Sequence, residues 1–450
     1  MTEQEQDKLE TGDVQTYLVD QFVVATEHES LVLDLLGAER VRLIESAPTT
    51  LGLSLLGLPD VDAALRHVQG RVASLPAPPA PPKTPPDGSL DALIERIRAY
   101  FGAQYGGWAP TLGKNRLVNG VQLSPYPNVG AGAMPEPAKP SSLPAATDTS
   151  PGRDVRVTLL DTDVFEHPQL AGRYNALHKY LIPADGRHKH LWQQWPPWGS
   201  SSLRPYPFGH GTFVAGVILA GAPGAVLTVD TVLAGQGLEA LPGAGRGFAT
   251  VWTVAKRLAA CAESGVDVVN CSFSVYTDDG QEPLVMARAV QRLAARAVVV
   301  AAAGNHGDTS MSEAERTRRR LPGPSAASWP AASDGVVAVG ATDTDGRSPA
   351  PFTPIAPWVN LLAPGVDVPS TYLDERVQIL KGEKDRPAAA RFKAWAKWSG
   401  TSFAAAAVTG AIAARTVPGQ QNSQEALKEL VADAGRPTGP AGFRVLTPPA

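Results

Sequence analysis

Cysteine is nearly absent, with only Cys261 and Cys271 in a chain of 450 residues. So few exclude a disulfide-stapled scaffold, and two buried free thiols are the expected state. Long apolar runs are missing too. No uninterrupted stretch reaches the ~18 residues that a membrane-spanning helix requires. Neither sign of charge dominates, since the formal net charge is −4. Nothing in that balance argues for nucleic acid as a general partner. The opening residues, MTEQEQDKLETGD, have no basic start and no apolar segment. That is unlike a secretory leader, so a cytoplasmic location is expected, with secretion the alternative if the true N-terminus differs.

What remains is an ordinary globular composition, 43% hydrophobic and 19% charged. The length allows a large core and more than one folded unit. Residues 1–75 read as a small α/β unit, with QFVVAT, RVRLIES and LGLSLLGL as strands and HESLVLDLLG and DVDAALRHVQG as helices. Residues 76–151 read as proline-rich linkers around one short helix, DALIERIRAYFGA, capped by Ser89. The stretch GGWAPTLGKNRLVNGVQL after it has no clear period. Residues 152–447 alternate valine-rich apolar runs (VRVTLL, VLTVDTVL, VDVVN, AVVVAAA, GVVAVGA) with periodic helices (ATVWTVAKRLAACAESG, EPLVMARAVQRLAARA). Such alternation predicts a mostly parallel sheet with helices on both faces. Ligands of such sheets sit beyond the carboxyl ends of the strands.

Four short stretches carry chemistry, and each lies at the end of a predicted element. Asp161 closes VTLLD, His210 opens HGTFVAG, Asn305 follows VVVAAAG, and Ser402 opens SFAAAAVTG. A serine hydroxyl attacks a carbonyl well only if a base takes its proton and a third group steadies that base. It also needs donors for the oxyanion that forms. Each residue has a plainer alternative. Asp161 could cap a turn, His210 and Ser402 could cap helices, and Asn305 could be a turn asparagine. Four in this order favour the catalytic reading. Ala404 stands where G-x-S-x-G would need its second glycine, which counts against an α/β-hydrolase esterase.

These stretches resemble the subtilisin-like serine peptidases, or subtilases. Asp161 falls in their Asp-Ser/Thr-Gly segment, His210 in HGTxVAG, Asn305 in AAxGN and Ser402 in GTSxAxxxVxG. VVNCSFS, WPAASDGVVAVGATD and NLLAPGV add to the likeness, which runs from about Val155 to about Arg415. The Asp…His…Ser order is subtilisin's own. The resemblance implies a subtilisin-like α/β fold preceded by a small α/β N-terminal domain. It implies a serine endopeptidase in which Ser402 is the nucleophile, His210 the general base, Asp161 its orienting partner and Asn305 an oxyanion donor. It also implies that Ser272, Phe273 and Ser274 pair with an extended polypeptide substrate, with Ala303 and Gly304 beside the specificity pocket. No cofactor is implied. Family members often hold structural calcium, but no carboxylate loop here is assigned to it.

The chain departs from the family pattern at several points. Asp163, Phe213, Ser274, Ala406 and Ala407 replace a glycine, a histidine, a glycine, a proline and a histidine. Asp163 is expected to add a carboxylate near the site, and Ser274 to narrow the groove. Gly211 is expected to leave room for substrate and Gly216 to let its helix pack tightly. His178, His188 and His190, with Trp192, Trp195 and Trp198, read as an irregular loop over the cleft rather than a metal site. Arg316 to Arg320 reads as a solvated loop, and Phe392, Trp395 and Trp398 as packing on the body. The N-terminal unit loosely resembles the propeptides that assist folding and block the cleft, the alternative being a permanent partner-binding or substrate-selecting domain. Two other classes stay open: a catalytically silent peptide-binding scaffold, and an esterase or transacylase using the same site.

Overall fold

The computed structural model describes residues 9–11, 16–76, 88–120, 134–178, 203–233, 249–277, 279–319, 321–381, 386–434 and 444–446. The valine-rich runs form the central sheet. From one edge its strands are Arg444–Val445, Leu361–Pro364, Val336–Thr342, Val298–Ala302, Val268–Cys271, Arg156–Asp161, Val226–Thr231 and Tyr174–His178. Every pairing among them is parallel. Side chains alternate across the strands, as pleating requires. Val298, Val300 and Ala302 face one core, with Val214, Val408 and Leu430 from the helices His210–Gly221, Thr401–Arg415 and Ser423–Asp433. Val299 and Ala301 face another, with Trp252, Leu258 and Val290 from the helices Val251–Glu263 and Leu284–Ala294.

Arg156–Asp161 is the first strand of this sheet, and later strands lie on both sides of it. The strand order therefore reverses at its carboxyl end. A crevice forms at such a switch point because the flanking connections leave in opposite directions.

Residues before 121, extended at one edge by Ala249–Thr250, build a second, antiparallel sheet in the order Ala249–Thr250, Leu112–Gly120, Thr16–Ala25, Leu53–Gly57, Arg42–Ala47. Its outer face is covered by the helices Glu29–Leu36, Val61–Ala73 and Ser89–Gln104, which share a core with Phe22, Val24 and Leu56. Its inner face, with Val23, Leu53, Leu55 and Val118, packs into the core of the Val251–Glu263 and Leu284–Ala294 helices.

Two sequence expectations are corrected here. Much of the region read as linker belongs to this N-terminal unit: Leu93, Ile97 and Phe101 are core residues, and Leu112–Gly120 is a nine-residue strand. Ser89 does not cap its helix. Gly88 is the N-cap, and the Ser89 hydroxyl donates to Asp62 Oδ1 at 2.6 Å instead. The other expected helices and strands form within a few residues of their predicted bounds. Cys261 and Cys271 are both free and buried, and burial, aided by the Asp230 charge, pushes the Cys261 thiol up to about 12.

Candidate active site

Asp161 is the last residue of the first central strand and is fully buried. Burial alone would disfavour its charge, so the carboxylate needs partners. Oδ1 accepts the Thr162 N–H at 2.7 Å, and the His210 Nδ1 lies 2.7 Å from Oδ1 and 2.9 Å from Oδ2. The carboxylate thereby keeps the proton on Nδ1 and leaves Nε2 with its lone pair. His210 opens its helix but makes no cap bond, so the capping alternative fails. The residue behind it, Gly211, was expected to make room for substrate. Its space is taken from within: a Cβ there would lie 2.2 Å from the Thr162 carbonyl oxygen. Gly216 does serve close packing, since its Cβ would meet Thr371 Oγ1 at 2.3 Å.

Ser402 is the second residue of the helix Thr401–Arg415, whose N-cap is Gly400. A helix start presents free N–H groups and the positive end of the dipole. The Ser402 hydroxyl caps nothing. Asn305 follows the strand Val298–Ala302 and reaches the same corner. Its Oδ1 accepts from the Thr401 N–H at 2.9 Å and from Thr401 Oγ1 at 3.0 Å. Because a backbone N–H can only donate, the amide must turn Nδ2 the other way.

Buried polar atoms without a partner are rare in folded proteins. A few occur elsewhere among the described residues, but His210 Nε2, Ser402 Oγ and Asn305 Nδ2, all buried and unpartnered, are the ones that fall on the motif residues. Nε2 and Oγ do not bond each other, as is common before a substrate aligns such a pair. One base, one hydroxyl and one donor are thus left unsatisfied by the protein. An acyl group undergoing attack would satisfy all three.

The surroundings fix these groups. Ser272 Oγ shares its one hydrogen between Asn270 Oδ1 at 2.9 Å and the Ser402 carbonyl at 3.2 Å, and Asn270 Nδ2 donates to Thr409 Oγ1 at 2.9 Å. The His210 ring meets the Trp398 ring edge-on at 5.7 Å and the Phe403 ring at 5.6 Å. Phe213 packs on both rings. Phe392, Trp395 and Trp398 are buried in the body, as expected. The sequence reading missed Thr401, Thr409 and the rings behind His210. Thr401 lies inside the GTS motif and could have been found there; Thr409 carries no local signal.

Asp163, expected to add a carboxylate near the site, is buried two residues after Asp161. Its Oδ1 accepts the Thr231 hydroxyl at 2.5 Å, on the neighbouring strand. The arginine run is also corrected. Arg316 is 3% exposed and donates to the carbonyls of His306 and Pro322, both at 3.0 Å, and of Asp308. Ser272, Phe273, Ser274, Ala303 and Gly304 are all buried, and Ser272 and Gly304 bond the Thr401–Ser402 corner. The edge of Phe273–Ser274 is occupied by the chain itself: Phe273 pairs with Gly120 and Ser274 with Asn119, antiparallel. Among the described residues no cluster of three or more His, Cys, Asp or Glu could hold a metal, and no helix is long and apolar enough to cross a membrane. His188, His190, Trp192, Trp195 and Trp198 lie outside the described residues, as does the side chain of His178.

A buried Asp–His pair, a helix-start serine and an amide donor at the carboxyl edge of a parallel sheet have the make-up of a serine hydrolase. The profile of the subtilase family matches residues 152–441, well over half of the chain, and the chain belongs to that family of subtilisin-like serine endopeptidases. Subtilisin BL of Lederbergia lenta is 29% identical over 241 residues, covering 51% of this chain and 71% of that protein. The thermophilic serine proteinase of Bacillus sp. (strain AK1) is 31% identical over 179 residues, 38% of each. The structure of fervidolysin from Fervidobacterium pennivorans, a keratinolytic enzyme related to subtilisin, shares the fold with a TM-score of 0.56 at 18% identity. That likeness covers 98% of this chain and 60% of fervidolysin, so the chain spans under two thirds of two of these three relatives.

Proposed function

We propose that this subtilase hydrolyses peptide bonds in extended polypeptides through an acyl-enzyme. Ser402 Oγ attacks the carbonyl carbon as His210 Nε2 takes its proton. Asp161 holds the imidazole and stabilises the imidazolium. Asn305 Nδ2 and the N–H of Ser402 receive the oxyanion. The imidazolium then protonates the leaving amine and the C–N bond breaks. Water, deprotonated by the same imidazole, hydrolyses the ester and returns Ser402. The observation that carries this reading is the set of three buried, unpartnered atoms beside a doubly contacted Asp161–His210 pair. The test is peptide hydrolysis by the Ser402→Ala and His210→Ala variants. Loss of nearly all turnover in both is expected, by about 10⁶-fold, the size of effect known from subtilisin itself. Turnover retained by either variant contradicts the assignment.

A second reading concerns the N-terminal unit, which we infer to be an intramolecular inhibitor. A strand that pairs with Phe273–Ser274 takes the place an extended substrate would need. The unit is also fastened to the helix Val251–Glu263. Glu45 accepts from Trp252 Nε1 at 2.8 Å and from Lys256 Nζ at 2.6 Å, and Asn115 Oδ1 accepts the Trp252 N–H at 3.4 Å. Purified wild-type chain should run as processed fragments beside an intact Ser402→Ala chain. Two intact bands overturn the self-processing that this reading requires.

A further inference from the structure

The strands Val268–Cys271 and Val298–Ala302 are parallel neighbours, with Cys271 opposite Ala301. Beyond their carboxyl ends the chain leaves as two segments, 272–276 and 303–306. Both touch the Thr401–Ser402 corner: Ser272 Oγ bonds the Ser402 carbonyl, and the Gly304 N–H donates to Thr401 Oγ1 at 3.1 Å. On the hydrolase reading, the crevice that takes the side chain next to an attacked carbonyl lies between them, because they flank the hydroxyl of Ser402 and the amide of Asn305.

The far end of that crevice is tied shut. Ser328 Oγ donates to Ser274 Oγ at 2.9 Å, and Tyr276 Oη lies 3.2 Å from His306 Nδ1. His306 Nε2 is in turn 3.0 Å from the Ala326 carbonyl. Val275 and Trp329 exchange both backbone bonds, at 2.8 and 2.9 Å, which draws residues 328–329 across the opening. Ser274, Tyr276, His306 and Ser328 are each 4% exposed or less. Even Gly304 has no room to spare: a Cβ there would sit 2.8 Å from both Tyr276 Oη and His306 Nδ1.

The lining is also uncharged. Burial drives His306 down to about 4, helped by the Arg316 guanidinium, so the imidazole is neutral at pH 7. Burial lifts Tyr276 to about 12, so the phenol stays protonated. A charged substrate side chain entering here would lose its water, and the guanidinium of Arg316 behind His306 is already committed to three backbone carbonyls.

We propose that the hydrogen-bonded pair Ser274–Ser328, backed by Tyr276 and His306, restricts the residue contributing the attacked carbonyl to small, uncharged side chains: glycine, alanine and serine. This rests on the hydrolase reading of Ser402 and deepens it, since a large side chain would have to break the Ser274–Ser328 bond and push apart a packed, satisfied network.

The experiment is mass spectrometry of products from a mixed peptide pool. The full chain is incubated until its gel pattern is constant, with Ser402→Ala as blank and fluorophosphonate labelling of Ser402 in parallel. Wild type should cleave after glycine, alanine or serine at least about tenfold more often than after leucine, phenylalanine, lysine or glutamate, corrected for abundance. The double variant Ser274→Gly with Ser328→Gly should raise the leucine-to-alanine ratio by about tenfold or more. If the double variant is not labelled, Ser328→Gly alone should move the ratio the same way. A labelled wild type that cleaves freely after bulky or charged residues overturns the restriction and leaves the hydrolase intact. So does a labelled variant whose ratio is unchanged. A wild type that neither labels nor cleaves overturns the hydrolase reading, and the restriction with it.

Discussion

At Asn305 the amide oxygen is committed to Thr401 and the nitrogen is left over. A donor fixed in advance stabilises developing charge without reorganising. Asn305→Ala should therefore lower kcat by about 10²–10³-fold with little change in KM, the magnitude found for this kind of donor in subtilisin. Steady-state kinetics on one peptide checks it, and a loss confined to KM would contradict it. The next residue makes a pH-dependent contribution. His306 has its folded value depressed to about 4, against an ordinary 6.5. Between those values the unfolded chain binds the proton more readily, so the stability from a neutral His306 is present above pH 6.5 and is lost as pH falls toward 4. Gln can keep a bond to Tyr276 without titrating. The stability advantage of wild type over His306→Gln should shrink as pH drops from 7 to 4 in thermal melts. An advantage that is flat with pH would contradict the assignment.

Among the elements, those that announce themselves locally were the ones the sequence disclosed. The valine runs became parallel strands, and motif residues at their ends came together because ends of parallel strands share an edge. Leu112–Gly120 was missed for a physical reason. Lys114 is half-buried and Asn115 fully buried, both are polar, and their partners are far away in sequence. Lys114 lies over the Tyr17 ring and pairs with Asp91 at 2.8 Å, while Asn115 bonds Gln21 and the start of the helix at Trp252. No local periodicity encodes a strand whose polar side chains are satisfied across the fold. Arg316 misled for another reason: its carbonyl partners, at His306, Asp308 and Pro322, are nearby in sequence, but only the fold turns their backbone toward the guanidinium. The fastening of the N-terminal unit belongs to this scale too. Glu45→Ala removes the acceptor for both Trp252 Nε1 and Lys256. If the unit inhibits, the lag before steady peptide hydrolysis should shorten in this variant. An unchanged lag argues against inhibition through this contact.

Across the whole molecule, two sheets built on different principles meet at one helix pair. The parallel sheet supplies the catalytic edge at its switch point, and the antiparallel sheet packs on the helices Val251–Glu263 and Leu284–Ala294 and lays Leu112–Gly120 along Phe273–Ser274. The family and the four motif residues could be read from the chain. The pairing that occupies the edge of Phe273–Ser274 could not, because it depends on a strand with no local signature. The role of Ser402 underlies every other assignment. Its hydroxyl is buried, caps nothing and stands at the start of a helix, as a nucleophile awaiting an acyl group would. Peptide mapping after fluorophosphonate treatment of the processed chain tests this most directly. One adduct on Ser402, abolished by Ser402→Ala and strongly reduced by His210→Ala, is the result expected. An adduct elsewhere, or none on a chain that still cleaves peptides, would contradict the account.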